Sequence, residues 1–107
     1  IPGGKPSHDS DRLSIGNLSI DVSEYAVYLG GKKMEFTYKE FELLRHFAQN
    51  KGIVFTRQDL LAKIWGTEYI GGTRTVDVHI RRLRFKLGEE FNTIIETVRN
   101  VGYRCRE

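Results

Sequence analysis

The 107-residue sequence has one cysteine and no long apolar run, and each of these two shortages argues against a class of protein. A single thiol, Cys105, cannot form an internal disulfide, so nothing points to folding in an oxidising compartment. No apolar stretch approaches the roughly 20 residues that a membrane-spanning helix needs. The first residues also lack the charged-then-apolar layout of a signal peptide. We therefore expect a cytoplasmic protein with no membrane partner.

Metal-binding and catalytic motifs are missing as well. One cysteine and three widely separated histidines give no zinc-ligand spacing. The pairs Gly30-Gly31 and Gly71-Gly72 lack the flanking residues of a phosphate-binding loop. No serine or cysteine lies in a nucleophile motif, and no carboxylate pair is placed for acid–base chemistry. The sequence therefore predicts no enzyme, no metal site and no cofactor.

The positive charge of the chain lies in its second half. Residues 1–50 carry six Lys and Arg against seven Asp and Glu, whereas residues 51–107 carry eleven against seven. Such an asymmetry favours an anionic partner for the second half. A solvated basic surface has the same composition, so the charge count alone does not decide between the two interpretations.

The chain divides into a short leading segment and one domain. Residues 1–12 contain both prolines and no apolar periodicity, which predicts a mobile linker or a cut end. Residues 13–107 are enough for one domain with a modest core. From Leu13 to Phe36, short alternating apolar runs are separated by glycine-containing pairs, a pattern that predicts four antiparallel strands.

Three helices and a terminal hairpin are predicted after these strands. Thr37 and Glu40 form a T-x-x-E capping box at the start of the first helix, and Thr56 opens the second, which stops at Gly66. The apolar run at 53–55 predicts a short strand between them. The third helix ends at Gly88, and "IIETVRNVGYRC" predicts two strands, with Cys105 as a small apolar strand residue. The apolar face of the first helix comprises Tyr38, Phe41, Leu43, Leu44, Phe47 and Ala48.

The third helix, "RTVDVHIRRLRFKLG", concentrates five cations against one acid. At 100° per residue, four aliphatic residues fall within about 60° of one another and predict a core stripe. The opposite face suits the DNA major groove, because arginine can bind guanine through two hydrogen bonds and an apolar side chain can meet a thymine methyl. The alternative is a solvated basic surface, which an exposed valine disfavours. The core stripe comprises Val76, Ile80, Leu83 and Leu87, and the outward face Arg74, Val78, Arg81 and Arg82.

Four motifs carry a family resemblance from about Leu13 to Arg104. They are "TYKEFELL", "FTRQDLLAKIWG", "GGTRTVDVHIRRLRFKLG" and "IETVRNVGYR", in that order and spacing. The chain resembles the C-terminal effector domain of OmpR/PhoB-type bacterial response regulators. The resemblance implies an α+β winged helix-turn-helix with an N-terminal four-stranded antiparallel sheet, three helices and a C-terminal β-hairpin wing. It also implies sequence-specific binding to double-stranded DNA at direct-repeat half-sites, in control of transcription.

The same resemblance assigns roles to individual residues. The third helix corresponds to the recognition helix, with Asp77 near the edge of the groove. Arg99 corresponds to the wing arginine that enters the minor groove, with Tyr103 beside it. The loop Thr67–Gly72 is where we expect a contact with RNA polymerase. The receiver domain is expected to be absent from this chain. Base contacts are expected from Thr75, Val78, Arg81 and Arg82, and backbone contacts from Arg57, Trp65, Arg74, His79, Arg84 and Thr97.

Two hypotheses of function from different classes follow. The first is a sequence-specific DNA-binding regulator of transcription. The second is a winged-helix module used for protein–protein contact, since a fold does not fix its use. The outward arginines, together with Arg99 on the wing, favour the first, because a protein-binding version has no need of that array. The exposed position expected for Phe85 is explained by neither.

Overall fold

The computed structural model describes residues 12–106, with the side chain of Glu90 excepted. These residues fall into two compact units, divided between Glu35 and Phe36. The predicted linker lies outside the described residues except for Arg12, which belongs to the first strand. No helix in the described part of the chain is long and apolar enough to cross a membrane. The elements are β1 (Arg12–Ile15), β2 (Leu18–Asp21), β3 (Ala26–Leu29), β4 (Lys32–Met34), α1 (Tyr38–Gln49), β5 (Val54–Thr56), α2 (Arg57–Leu60) with a π-helical turn (Leu61–Trp65), α3 (Arg74–Phe91), β6 (Ile95–Val98) and β7 (Gly102–Cys105).

The first unit is a four-stranded antiparallel sheet in the order β1-β2-β3-β4, which confirms the predicted meander. Its β2–β3 turn is held by Asp21, whose side chain is almost completely buried. One oxygen of this carboxylate accepts hydrogen bonds from Ser23 Oγ at 2.8 Å and from the Glu24 amide at 3.1 Å. The other oxygen accepts a 3.3 Å bond from Arg12. The buried charge is therefore stabilised by several donors, as burial requires.

Helix α1 begins with the predicted capping box. Glu40 accepts the Thr37 amide at 2.9 Å, and Thr37 Oγ1 accepts the Glu40 amide at 3.2 Å. The same Glu40 oxygen accepts a 2.7 Å bond from Lys86 Nζ on α3, so the capping residue also joins the two helices. The apolar face is buried as predicted, except that Tyr38 is 61% exposed. This part of the prediction is wrong, because Tyr38 is the first residue of the helix and lies at the edge of the apolar arc.

The second helix runs to Trp65 as predicted, but its last turn is π-helical. Its N-terminus has the expected box, in which Thr56 and Asp59 exchange 3.0 Å bonds with each other's amides. At the other end the Gly66 amide donates to two carbonyls, those of Leu61 and Ala62. Trp65, the last residue of this turn, packs edge-on against the His79 ring of α3.

A three-stranded antiparallel sheet, in the order β5-β7-β6, ends the chain. The short strand predicted at 53–55 forms at Val54–Thr56 and pairs with β7, so the terminal hairpin is joined to the helical core. Gly102 has no room for a side chain there, because a Cβ would lie 2.0 Å from the Phe55 carbonyl oxygen. Cys105 is completely buried, in agreement with the prediction of an apolar strand residue.

Candidate nucleic-acid interface

One side of α3 is part of the core of the second unit. All four residues of the predicted stripe (Val76, Ile80, Leu83 and Leu87) have at most 1% of their surface exposed. The regular helix stops at Gly88, whose φ of +83° lies in the left-handed region that glycine adopts without strain. The sequence prediction of both the buried face and its end is confirmed. The orientation of the outward face is thereby fixed.

The opposite face of α3 is exposed and basic. Arg74, Arg81 and Arg82 are all exposed. Among the described side chains, none of the three forms an ion pair or a side-chain hydrogen bond. Val78 lies between them with 38% of its surface exposed. The structure therefore brings together three of the four predicted base-contacting residues, Val78, Arg81 and Arg82. The charge of Arg74 also helps to lower the pKa of Asp77.

The fourth predicted base contact, Thr75, is half-buried at the edge of this face. Its hydroxyl lies 3.1 Å from the hydroxyl of Tyr69, in the loop that precedes α3. Its carbonyl accepts a 2.9 Å hydrogen bond from His79 Nδ1, which must be the donor because a carbonyl oxygen only accepts. The His79 ring packs edge-on against Trp65 at a centroid distance of 4.9 Å. Trp65 and His79, both predicted backbone contacts, thus form one half-buried rim of the face.

Asp77 lies on the other flank of α3 and connects three elements. Its Oδ1 accepts bonds from Arg57 Nε on α2 at 2.7 Å and from the Tyr103 hydroxyl on β7 at 2.6 Å. Burial alone would raise the pKa of the Asp77 carboxyl, but the hydrogen bonds from Tyr103 and Arg57 outweigh it, and the pKa is lowered. The hydrogen bond to Asp77 is also the main reason that the pKa of Arg57 is raised. Asp77 is therefore a charged partner within the protein.

Arg84 lies on the same flank and bonds to the wing. Its Nε and Nη2 donate to the carbonyl oxygen of Ile95, and Nη2 donates to Thr97 Oγ1 at 2.9 Å. Its guanidinium carbon lies 5.5 Å from the centre of the Tyr103 ring, and that of Arg57 lies 5.3 Å from the same ring. Burial lowers the pKa of Arg84. Three predicted backbone contacts, Arg57, Arg84 and Thr97, are thus gathered around one tyrosine and bonded to protein groups.

A cleft lies between this flank and the outward face, and it is bordered by Arg57, Arg81 and Arg84. The cleft has a volume of about 320 Å³ and lies between α2, α3 and β7. Arg81 is exposed, whereas Arg57 and Arg84 are hydrogen-bonded to Asp77 and to the Ile95 carbonyl. The cleft is lined by Arg57, Asp77, Ile80, Arg81, Arg84 and Tyr103.

The wing turn presents Arg99. The turn is closed by a 2.9 Å bond from the Val101 amide to the Val98 carbonyl, and Asn100 has a φ of +66°. Arg99 is exposed, and Glu96, three residues before it, is paired with Arg104 across the hairpin at 2.7 Å. Within residues 12–106, setting Glu90 aside, Arg99 has no carboxylate partner.

Sequence reasoning missed the bonds that hold this surface in place. It did not foresee that Lys86 pairs with the capping Glu40, that Tyr103 binds Asp77, or that Arg84 binds the Ile95 carbonyl. A helical wheel gives the direction of each side chain but not the element that it meets. The T-x-x-E box was the one available signal for Glu40. It predicted the cap of α1 but not the bond from Lys86 on α3.

The described residues do not meet the requirements of a metal site. No group of three or more His, Cys, Asp or Glu side chains in the described part of the chain could hold a metal ion. Helices α2 and α3 form a pair in which α3 presents an exposed basic face, and a hairpin with an arginine at its tip follows them. This arrangement defines a winged-helix domain of the DNA-binding class.

Comparison with known proteins agrees with this class. Residues 31–105 match the family model described as "Transcriptional regulatory protein, C terminal". The chain therefore belongs to the OmpR/PhoB-type family of C-terminal effector domains, a family of transcription regulators and not of enzymes. The heme response regulator HssR of Staphylococcus epidermidis is 45% identical over 95 residues, which are 88% of this chain and 42% of that protein. The chain thus spans less than half the length of that relative.

Solved structures of the same fold include two isolated domains. The DNA-binding domain of Klebsiella pneumoniae RstA, in complex with the RstA box, is 37% identical with a TM-score of 0.78, covering 89% of this chain and 96% of that one. The DNA-binding domain of Bacillus subtilis CssR is 38% identical with a TM-score of 0.74, covering 82% of this chain and 98% of that one. Both similarities support the α+β winged-helix assignment made from the sequence.

Proposed function

We propose that the chain binds double-stranded DNA in a sequence-specific manner, as the output domain of a two-component response regulator that controls transcription. The observation that carries the proposal is the exposed face of α3, where Arg81 and Arg82 form no ion pair with the described side chains and flank an exposed Val78. Unpaired guanidinium groups can bind guanine edges and phosphates, and the valine can meet a thymine methyl.

The proposal assigns the two parts of the surface to two grooves. The third helix enters the major groove, with Thr75, Val78, Arg81 and Arg82 against the bases, and the wing carries Arg99 to the neighbouring minor groove. The remaining predicted contacts face the sugar-phosphate backbone. Arg57, Arg84 and Thr97 are hydrogen-bonded within the protein, which positions their side chains before DNA arrives. The proposed backbone contacts are Arg57, Trp65, Arg74, His79, Arg84 and Thr97.

The wider assembly is also part of the proposal. Two copies of this domain bind direct-repeat half-sites, and a receiver domain belongs to the longer protein, which acts in the cytoplasm. The loop Thr67–Gly72 contacts RNA polymerase. It presents Ile70 with 97% and Tyr69 with 41% of their surface exposed, and of the two it is Tyr69 whose hydroxyl lies 3.1 Å from that of Thr75 on α3. In the full-length protein, Ile70→Ala should leave DNA affinity unchanged and lower transcription from a reconstituted promoter.

Selection of bound duplexes from random DNA tests the central proposal. We expect an enriched sequence, bound at least about a thousandfold more tightly than random duplex at the same salt concentration. Affinity should fall steeply as salt is raised, because each phosphate contact releases counterions. Failure to enrich any sequence, or a complex that survives with a protein partner but not with DNA, would favour the protein-binding alternative.

A further inference from the structure

Phe85 is an exposed aromatic residue in the last regular turn of α3. Eighty-five per cent of its surface is accessible, against 38% for Val78 on the same helix. The helix needs no phenylalanine there for packing, since its core side is already complete with four buried aliphatic residues. An exposed ring of this size is therefore a candidate binding residue.

The position of Phe85 relates it to the face proposed to contact bases. It follows Val78 by seven residues, so the two side chains point within about 20° of each other and are separated by about 10 Å along the helix axis. Arg81 and Arg82 lie between them along the helix, on either side of the line that joins them, and both are exposed. The two apolar side chains thus form a stripe bordered by guanidinium groups.

The surroundings of this stripe indicate what covers it. A protein groove would have to supply apolar surface for Phe85 and, at the same time, acidic groups for both neighbouring arginines. The DNA major groove offers both in one ligand, because phosphates and guanine acceptors lie beside the thymine C5-methyl groups. A separation of about 10 Å corresponds to about three base-pair steps of about 3.4 Å. The two apolar residues can therefore meet different base pairs of one site.

We propose that Phe85 is a specificity-determining residue, whose ring packs against the C5-methyl group of a thymine about three base pairs from the one that Val78 contacts. The inference rests on the proposed function, since it requires α3 to lie in the major groove. It adds a preference at one further base pair, which the arginines by themselves do not provide.

Replacement of single thymines by deoxyuridine tests this contact, because it removes only the methyl group. On the selected duplex, we expect two positions at which deoxyuridine lowers the affinity of the wild-type protein about fourfold, the effect of one buried methyl group. Phe85 is responsible for the loss at one position and Val78 for the loss at the other. Phe85→Ala should bind the thymine duplex more weakly and lose the methyl effect at its own position only. Val78→Ala should lose the effect at the other position, and Phe85→Leu should retain part of the effect that Phe85→Ala loses.

Two controls separate the possible failures. Ile53→Ala removes a residue that is 51% exposed outside α3 and should leave every methyl effect unchanged. Thermal melts should be the same for the wild type and Phe85→Ala. If Phe85→Ala loses affinity on deoxyuridine replacement at the same positions as the wild type, the proposal for Phe85 is overturned while DNA binding stands. The same holds if Phe85→Ala changes the effect of the replacement at no thymine of the selected site. If the wild type selects no sequence at all, the proposed function itself fails.

Discussion

The hydroxyl of Tyr103 donates a 2.6 Å hydrogen bond to Oδ1 of Asp77, which joins the terminal hairpin directly to the exposed helix α3. Tyr103 is only 5% exposed, so its hydroxyl needs a partner inside the protein. Arg57 Nε shares the same carboxylate oxygen, which adds α2 to the junction. Asp77 therefore joins α3 to the wing and to α2, in addition to the bonds that Arg84 makes to Ile95 and Thr97 on β6.

Asp77→Asn should destabilise the domain in a pH-dependent way. Because the Asp77 side chain is 40% exposed, the ion pair is partly screened, and we expect a loss of roughly 1 kcal/mol at pH 7. The folded-state pKa of Asp77 is lowered, so its contribution is present above the unfolded pKa of about 3.9 and is lost as the pH falls through the folded value. Urea titrations of both proteins at pH 7 and pH 3 measure this. A stability difference that is as large at pH 3 as at pH 7 would contradict an ionic role.

Arg81→Ala and Arg82→Ala should weaken binding to the selected site more than binding to random DNA. Loss of a base-contacting arginine costs roughly 1–3 kcal/mol and relaxes the preference at its base pair. Arg45→Ala is a matched control, because it removes the same charge from α1, where Arg45 is paired with Glu42 at 2.6 Å. Binding titrations of each variant on the selected and the random duplex test this prediction. Equal weakening on the two would show that these arginines contact only phosphates.

Arg84→Ala should lower both stability and the salt dependence of binding. The substitution removes the donors to the Ile95 carbonyl and to Thr97, with an expected loss of about 1–3 kcal/mol. If the guanidinium also reaches a phosphate, the slope of log affinity against log salt should become shallower by about one unit. Chemical unfolding and binding at four salt concentrations measure the two effects separately. An unchanged slope would confine Arg84 to its role between α3 and β6.

Arg99→Ala should weaken binding according to the sequence that flanks the site. A·T-rich minor grooves are narrow and strongly negative, so they attract an inserted arginine more than G·C-rich ones do. Folding should change by less than about 0.5 kcal/mol, because the residue lies at an exposed turn. The measurement compares two duplexes that differ only in the flank. The same loss on both would make Arg99 a simple phosphate contact, and no loss would remove the wing from the interface.

The spacing between half-sites should control cooperativity. If two copies of the domain bind as direct repeats about one helical turn apart, both recognition helices meet the same side of the duplex. Insertion of about five base pairs moves the second half-site to the opposite side, and cooperative binding should disappear. Gel shifts on the two duplexes reveal this, with a ten-base-pair insertion as the control that restores the facing. Tight binding that ignores the spacing would argue against a tandem arrangement.

Local sequence signals were sufficient for the elements and for the orientation of α3. The two capping boxes, the glycine at the end of α3 and the spacing of Val76, Ile80 and Leu83 all act within one or two helical turns. Physical preferences of this range can be read from neighbouring residues, so the predicted helices, strands and core stripe formed. The π-helical turn at Leu61–Trp65 and the exposure of Tyr38 were not predictable in this way, because each depends on how the helix end meets the rest of the unit.

Helical periodicity places Arg74, Arg81 and Arg82 opposite the aliphatic stripe, so their position away from the core follows from the order of residues alone. Which arginines bond to other protein groups depends instead on how the elements pack. Arg57 and Arg84 come from positions that looked equally available, yet they bond to Asp77 and to the Ile95 carbonyl. These partners lie 20 and 11 residues away along the chain, on other elements. A hydrogen bond requires its two atoms to lie about 3 Å apart, and for these residues only the packing of α2, α3 and the hairpin sets that distance.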